Sequence, residues 1–219
     1  MIKGQNYDKE KRKLSFVTDM PVFLANAIRR SVLEIPVMAI DEVEIFKNDS
    51  ALYDEIVAHR VGLIPIKTEK TSKSVKFKLK EKGPKMAYAT DLSPSIDTDL
   101  KLPIVLLDEG QEVELVGEAK LGKGIDHIKY SPGLVYFKHN LDEELLDFVY
   151  IDAEGKVNYE EEELEKASAE VVEKVKKLKD VEELIFNIES WGQLDSKDIF
   201  LKAIDALDEN LKELDKAVK

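Results

Sequence analysis

The alternation of apolar and polar residues between Pro21 and Ile66 predicts a helix, a strand and a second helix in close succession. Pro21 suits the first turn of a helix, Thr18 and Asp19 are candidate caps, and the helix should end before Pro36. Apolar residues recur there at steps of three and four, which is the spacing of an amphipathic helix with one buried face. They are Phe23, Leu24, Ala27, Ile28, Val32 and Ile35.

The residues after this helix predict a strand and a shorter helix. Apolar and acidic residues alternate from Val37 to Lys47, as they do in a half-buried strand. Ser50 is the candidate cap of a helix that runs through Ala58, and Gly62 can close that helix in the left-handed conformation. Extended structure should resume from Leu63 to Ile66.

Short alternating runs separated by turn residues dominate the middle of the chain and predict a mostly antiparallel β module. Two more strands flank the helices, one before the first helix and one before the last. Together these patterns indicate an α+β fold. The predicted strands are Lys13–Val17, Val75–Lys80, Met86–Asp91, Ile104–Leu107, Glu112–Ala119, Leu134–Lys138 and Leu184–Ser190.

Two stretches near the carboxyl end have helical spacing. Four consecutive glutamates at positions 160–163 open a pattern that continues to Val181 and predicts one long exposed helix, with lysines 174, 176, 177 and 179 near its end. A last helix, capped by Asp195 or Ser196, carries a seam of coiled-coil type. The apolar stripes of the first and last helices together give more apolar surface than one small unit buries alone. We therefore expect a pair of helices from a partner to cover them. The seam consists of Phe200, Ala203, Ile204, Leu207, Leu211, Leu214 and Val218.

Composition excludes several classes of function. The 219 residues are 43% hydrophobic, enough for a core, and contain neither a membrane-spanning run nor a signal-peptide pattern, so a cytoplasmic protein is expected. The absence of cysteine excludes disulfides, a thiolate nucleophile and cysteine-ligated zinc or iron–sulfur centres. A net charge of −12 is atypical of a free nucleic-acid binder and favours a protein partner.

Three separated blocks resemble a known family. They are LANAIRRSVLEIPVMAIDEVEIFKNDSALYDEIVAHRVGLIPI, LGKGIDHIKYSPG from Leu121 to Gly133, and FNIESWGQL from Phe186 to Leu194. In this order and spacing they are similar to the assembly subunits of DNA-directed RNA polymerase, a family that includes the bacterial α subunit, the third-largest subunit of eukaryotic polymerase II and their archaeal counterpart. The resemblance covers most of the chain, but Ile151 to Lys179 falls outside it.

The resemblance implies a domain organisation. Residues 1–47 and 183–219 would form a discontinuous dimerisation subdomain, and residues 48–152 would form a mostly β insert. Residues 153–182 would be a charged helical insertion where many archaeal relatives carry a cysteine-rich iron–sulfur region. Without cysteine that cluster cannot be carried over, so no cofactor is expected. The chain stops after its last helix, as heterodimer-forming archaeal and eukaryotic members do.

The implied function is that of a non-catalytic assembly subunit of the polymerase. The implied partners are a small α-like subunit of the L type, a small zinc-bearing subunit of the N type and the second-largest subunit, with DNA reached only through the complex. In this family the first and last helices pack against their counterparts on the related chain. The implied dimer interface is Phe23, Leu24, Ala27, Ile28, Phe200, Ala203, Leu207, Leu211 and Leu214.

A second set of residues would face the large subunit. An arginine at a protein interface makes bidentate hydrogen bonds and tolerates desolvation, which suits the adjacent arginines of the first helix and the basic end of the second. The resemblance adds a corner that follows the glycine turn Gly122-Lys123-Gly124. The set is Arg29, Arg30, His59, Arg60, His127, Lys129 and Tyr130.

Two other classes of protein compete with this interpretation. An enzyme would need Asp41, Glu42, Asp54, Glu55 and His59 to converge, although no nucleophile motif or metal-ligand spacing singles them out. The three histidines of the chain lack ligand spacing as well, which argues against a metal site. A free-standing homodimeric α+β binding protein would keep the fold without the polymerase role.

Overall fold

A computed structural model describes residues 2–68, 74–96, 100–152, 155–178, 181 and 183–219. The strands are β1 (Ile2–Asp8), β2 (Lys13–Thr18), β3 (Val37–Asn48), β4 (Val75–Lys82), β5 (Lys85–Tyr88), β6 (Pro103–Leu107), β7 (Glu112–Gly122), β8 (Gly133–His139), β9 (Tyr150–Ile151), β10 (Val157–Asn158) and β11 (Leu184–Ser190). The α-helices are α1 (Val22–Ser31), α2 (Asp54–Gly62), α3 (Glu161–Leu164), α4 (Ala169–Lys177) and α5 (Ser196–Val218). The α+β class predicted from the pattern is confirmed.

The chain forms two compact units. The first unit contains Met1–Arg30 and Val135–Glu189, and the second contains Ser31–Leu134 and Ser190–Lys219. These boundaries differ from those of the predicted subdomains, because β3 pairs with β7 whereas β8 belongs to the sheet of β1, β2 and β11.

The first unit is built on a four-stranded sheet in the order β1-β2-β11-β8. Alternate residues of β2 and β11 are buried, and their register places Phe16 opposite Phe186 with ring centroids 5.5 Å apart. This is the period-two burial expected of a sheet with one covered face. Strand β1 was not predicted, because most of its residues are exposed and they give no apolar alternation.

The prediction of one long exposed helix before β11 is wrong. The structure has two short helices, α3 and α4, and the side chain of Ser168 caps α4 by accepting from the Val171 amide at 3.4 Å. Apolar residues of both helices are buried in a small core rather than lying in solvent, and Lys179 falls outside the described residues. The core residues are Leu145, Leu164, Val171 and Val175.

Replacing Val175 with alanine therefore tests whether this segment is packed. Val175 is fully buried, so Val175→Ala should lower the free energy of unfolding by about 1.5 kcal/mol, through lost apolar contact and a residual cavity. Denaturant unfolding measures the change, with half-buried Val172→Ala of the same helix as the milder control. A neutral Val175→Ala would instead support an exposed helix.

The second unit contains the antiparallel sheet β3-β7-β4 and the hairpin of β5 and β6. Its core combines one face of this sheet with α2 and the hairpin, and includes fully buried Val57, Leu79 and Leu115. The other face carries cross-strand ion pairs such as Lys80 with Glu114 at 2.7 Å. Exposed pairs of this kind contribute little stability each, so the apolar face holds the sheet together.

Helix α2 begins and ends differently from its prediction. Ser50 does not cap it, because its hydroxyl bonds to the side chain of Asn48 at 2.6 Å and the helix starts only at Asp54. Gly62 is the last helical residue rather than a left-handed cap. The following residues, Leu63–Ile66, form a turn and irregular chain instead of a strand.

Helix α5 starts at a well-defined cap in the second unit. The Asp195 carboxylate accepts from the Lys197 amide at 2.9 Å, which confirms one of the two predicted caps. Ile199 and Ala203 are fully buried, where the helix contacts the 3₁₀ turn Val32–Glu34. No helix within the described ranges is both long and apolar enough to cross a membrane.

Candidate docking surfaces

The carboxyl-terminal half of α5 presents an uncovered apolar stripe. Every residue from Asp208 to Lys219 is exposed, including Leu211 at 55%, Leu214 at 59% and Val218 at 79%. With Ile204 and Leu207 these residues follow alternating steps of three and four, which keeps them on one side of the helix. The described part of the chain therefore leaves this half of α5 uncovered, and an isolated helix of about twelve residues is only marginally stable in water.

Ion pairs lie along one flank of the stripe. Lys212 pairs with Asp208 and Lys219 pairs with Asp215, both at a spacing of four residues. Such pairs support a helix by a few tenths of a kcal/mol each and form a polar border beside an apolar seam. The exposed half of α5 therefore has the side-chain arrangement of one helix of a coiled-coil pair.

Helix α1 of the first unit presents a smaller apolar surface. Phe23 is 77% exposed and Leu24 is also exposed, whereas Ile28 is buried within the chain. An apolar hollow of about 700 Å³ opens beside Phe23 and is lined by Met20, Pro21, Val22, Phe137, Val181 and Leu184 among others.

The predicted interface residues therefore fall into three groups. Phe23, Leu24, Leu211 and Leu214 are exposed. Ala27, Phe200 and Leu207 are half-buried. Ile28 and Ala203 are covered by the chain itself, so they support the two helices instead of offering a surface to a partner.

The arginines selected from the sequence differ in how they are held. Within α1, the Arg29 guanidinium donates twice to the Asn26 side-chain oxygen, at 2.8 and 3.1 Å, and Arg30 is exposed. In the second unit, Arg60 donates to the Ile104 carbonyl at 2.9 Å, and neighbouring His59 is exposed. Arg30, His59 and Arg60 are thus exposed, whereas Arg29 is half-buried.

A cluster around one carboxylate ties the corner between β7 and β8 to β3. Asp41 accepts from Lys129 at 2.7 Å, from the Tyr130 hydroxyl at 2.8 Å and from Lys120. Lys129 also donates to the Asp41 backbone carbonyl at 3.1 Å. These four residues, Asp41, Lys120, Lys129 and Tyr130, are called the Asp41 clamp.

The electrostatics of the Asp41 clamp follow from these bonds. Hydrogen bonds from Lys120 and Lys129 hold the pKa of Asp41 well below its usual value. Burial and the neighbouring carboxylate raise the pKa of Tyr130 above its usual range. The carboxylate therefore stays ionised and the phenol stays protonated at neutral pH.

The clamp changes the assignment of the corner residues. Tyr130 is 4% exposed and the Lys129 side chain is 13% exposed, so both point towards Asp41 rather than towards a partner. His127 is exposed, and its Nδ1 accepts from the Lys129 amide at 3.1 Å. Sequence reasoning missed Ile125 and Ile128, which are 63% and 67% exposed. The available signal was a pair of isoleucines in an otherwise polar turn.

The acidic residues considered for catalysis have structural bonds instead. Asp41 belongs to the clamp, and Asp54 accepts from the Asn48 side chain at 2.8 Å. Within the part of the chain that the structure describes, no three His, Asp or Glu side chains are grouped to hold a metal ion.

Comparison with known proteins gives consistent matches. Residues 16–211 match the family model described as the RNA polymerase Rpb3/Rpb11 dimerisation domain. DNA-directed RNA polymerase subunit Rpo3 of Pyrococcus furiosus is 42% identical over 155 residues, covering 63% of this chain and 59% of that protein. The Pyrococcus horikoshii subunit Rpo3 is 40% identical over 156 residues, covering 64% and 60%.

A more distant relative aligns over nearly the whole chain. Subunit Rpo3 of Halobacterium salinarum is 29% identical over 249 aligned positions, covering 97% of this chain and 95% of that protein. By contrast, the chain spans about three fifths of the length of the two Pyrococcus relatives.

Proposed function

Because the chain belongs to the RNA polymerase Rpb3/Rpb11 dimerisation domain family, we propose that it is a non-catalytic assembly subunit of DNA-directed RNA polymerase. The observation that carries the proposal is the exposed apolar stripe of α5, which ends in Leu211, Leu214 and Val218. The similar proteins, which are named as subunits of DNA-directed RNA polymerase, support the proposal that this chain belongs to the same kind of complex.

The stripe would pair with a small α-like subunit of the L type. Its alternating spacing of three and four residues calls for a complementary helix, as in a coiled-coil seam. A second copy of this chain is a poorer partner, since each copy carries a net charge of −12 and like charges oppose association. Phe23 and Leu24 of α1 would add a second contact with the same subunit.

The basic residues would dock the second-largest subunit. Arg30 and His59 are exposed, and Arg29 and Arg60 are held in place by hydrogen bonds within the chain. A guanidinium pre-oriented in this way forms bidentate bonds to a partner carboxylate at a low entropic cost. A small zinc-bearing subunit of the N type would complete the assembly, and the chain itself would need no cofactor.

An affinity pull-down of the tagged chain from its native lysate tests the proposal. Polymerase large subunits and a small α-like protein should be recovered together and identified by mass spectrometry. Recovery of the chain alone, or only as a self-dimer, would contradict the assembly role and favour a free-standing binding protein.

The Arg30→Ala variant tests the large-subunit contact separately. Loss of one interface guanidinium should weaken recruitment of the large subunit about tenfold and leave pairing with the small subunit unchanged. Lys11→Ala removes another exposed basic side chain of the first unit and should leave recruitment unchanged. Equal recruitment by Arg30→Ala and the wild-type chain would remove Arg30 from the contact.

A further inference from the structure

The two borders of the exposed stripe on α5 differ in charge. At about 100° of rotation per residue, Asp208 and Asp215 lie directly beside the apolar residues on one border. Asn210 and Ala217 lie beside them on the other border. The aspartate side chains are 59% and 64% exposed. The stripe therefore has one acidic border and one neutral border.

The lysines of this half of α5 lie behind the acidic border. Lys212 and Lys219 follow the two aspartates by four residues and pair with them from the side that faces away from the stripe. Their side chains are 66% and 74% exposed, and exposed ion pairs of this kind are weak. A cation from another chain can therefore replace either lysine at little cost.

A second copy of α5 brings no lysine to the acidic border in either orientation. In an antiparallel pair the acidic border faces itself, so Asp208 lies opposite Asp215 of the other copy. In a parallel pair the aspartates lie opposite Ala203 and Asn210. The antiparallel pair is the sterically accessible one, because a parallel pair crowds both second units at one end of helices about 8–10 Å apart. Self-pairing therefore sets like charges against each other, which opposes association.

A helix with lysine or arginine beside its own apolar seam fits the acidic border. Such a helix covers Leu211 and Leu214 with its apolar residues and places its cations against the two aspartates. Its charge also complements a chain with a net charge of −12. Specificity of this kind combines attraction to one partner with repulsion of another.

We propose that Asp208 and Asp215 are the specificity-determining residues of α5. They oppose pairing with a second copy of the chain and select a helix that carries lysine or arginine beside its apolar seam. The identification of that helix with the small α-like subunit rests on the proposed function. The opposition to self-pairing does not, because it concerns this chain alone.

A charge exchange within the full chain tests the opposition to self-pairing. The exchange variant keeps the net charge and both ion pairs at a spacing of four residues. Each chain alone repels its own copy, whereas mixing the variant with the wild-type chain sets aspartate opposite lysine. Sedimentation equilibrium should show a mixed dimer at least about tenfold tighter than either self-dimer. The substitutions are Asp208→Lys, Lys212→Asp, Asp215→Lys and Lys219→Asp.

The control exchanges charges on the opposite side of the helix. Glu209→Lys with Lys216→Glu also keeps the net charge, and its mixture with the wild-type chain should dimerise no more tightly than either chain alone. Thermal unfolding of both variants should match the wild-type chain, because all substituted side chains are exposed. The inference is overturned if the exchange variant and the wild-type chain also fail to form the tighter mixed dimer.

Titration calorimetry with the small α-like subunit tests the selection of a basic helix. Asp208→Asn with Asp215→Asn should weaken pairing about fivefold at low salt, and the difference should shrink in 1 M salt because exposed charges are screened. Glu209→Gln with Glu213→Gln removes the same charge from the far side of α5 and should change the affinity less than twofold.

The outcomes separate this inference from the proposed function. Equal affinities of the asparagine variant and the wild-type chain at low salt would overturn the selection of a basic helix. If the wild-type chain does not bind the small subunit at all, the proposed function fails. The charge exchange then still decides whether the two aspartates oppose self-pairing.

Discussion

Replacing Leu211 and Leu214 with aspartate should abolish pairing with the small α-like subunit while leaving the isolated chain fully folded. Both leucines are exposed in the half of α5 that the described residues leave uncovered. Burying a leucine contributes about 1.5–3 kcal/mol, and forcing a carboxylate into an apolar seam adds a penalty. The dissociation constant should therefore rise by more than about 100-fold.

The isolated chain should not be affected by the same change. Substitutions at exposed positions usually alter the free energy of unfolding by less than about 0.5 kcal/mol. Lys216→Asp is the matched control, because helical geometry places Lys216 on the opposite side of α5 from the stripe. Isothermal titration calorimetry measures the affinity of both variants for the small subunit. Wild-type affinity in the leucine variant, or an equal loss in Lys216→Asp, would contradict the assignment of the stripe.

Replacing Asp41 with asparagine should lower the free energy of unfolding by about 2–3 kcal/mol at neutral pH. The substitution removes the charge that accepts from Lys129, Lys120 and Tyr130, and hydrogen bonds to a charged group contribute about 1.5–3 kcal/mol each. The expected loss of unfolding free energy is smaller than the sum of these contributions, because Lys120 is half exposed and its ion pair with Asp41 is screened by solvent.

The lowered pKa of Asp41 predicts how the free energy of unfolding depends on pH. The folded-state pKa of Asp41 lies below its ordinary value of 3.8. Its contribution is therefore fully present above that value and is lost as the pH falls below it. The wild-type chain should begin to lose its advantage over Asp41→Asn below about pH 4, and most of the loss should still be in progress at about pH 2.

Denaturant unfolding of both proteins across this range measures the effect. Asp126→Asn is the control, because it removes an exposed carboxylate of the same corner that acts on Tyr130 only through its charge and takes no part in the hydrogen bonds that define the clamp. A constant difference between wild type and Asp41→Asn from about pH 7 to pH 2 would show that Asp41 does not stabilise the fold through its charge.

Elements with strong apolar periodicity were predictable from the sequence. Strands such as β7 and β11 and the whole of α5 follow from alternation or helical spacing, because each buries one face. The exposed stripe of α5 was predictable for the same reason, since its apolar residues exceed what one small unit can cover.

Features set by tertiary contacts were not predictable in this way. The helical spacing before β11 is real, but the Ser168 cap and burial of Val171 and Val175 divide it into two packed helices. Strand β1 lacks apolar alternation and forms because β2 offers it an edge. Lys129 and Tyr130 point inward only because Asp41, far away in the sequence, lies opposite them on β3.

The most direct test of the proposed assembly role is native mass spectrometry of the chain co-expressed with the small α-like subunit of the same organism. A single species with the mass of a one-to-one heterodimer is the predicted result. A monomer or homodimer of this chain, with the small subunit left unbound, would contradict it.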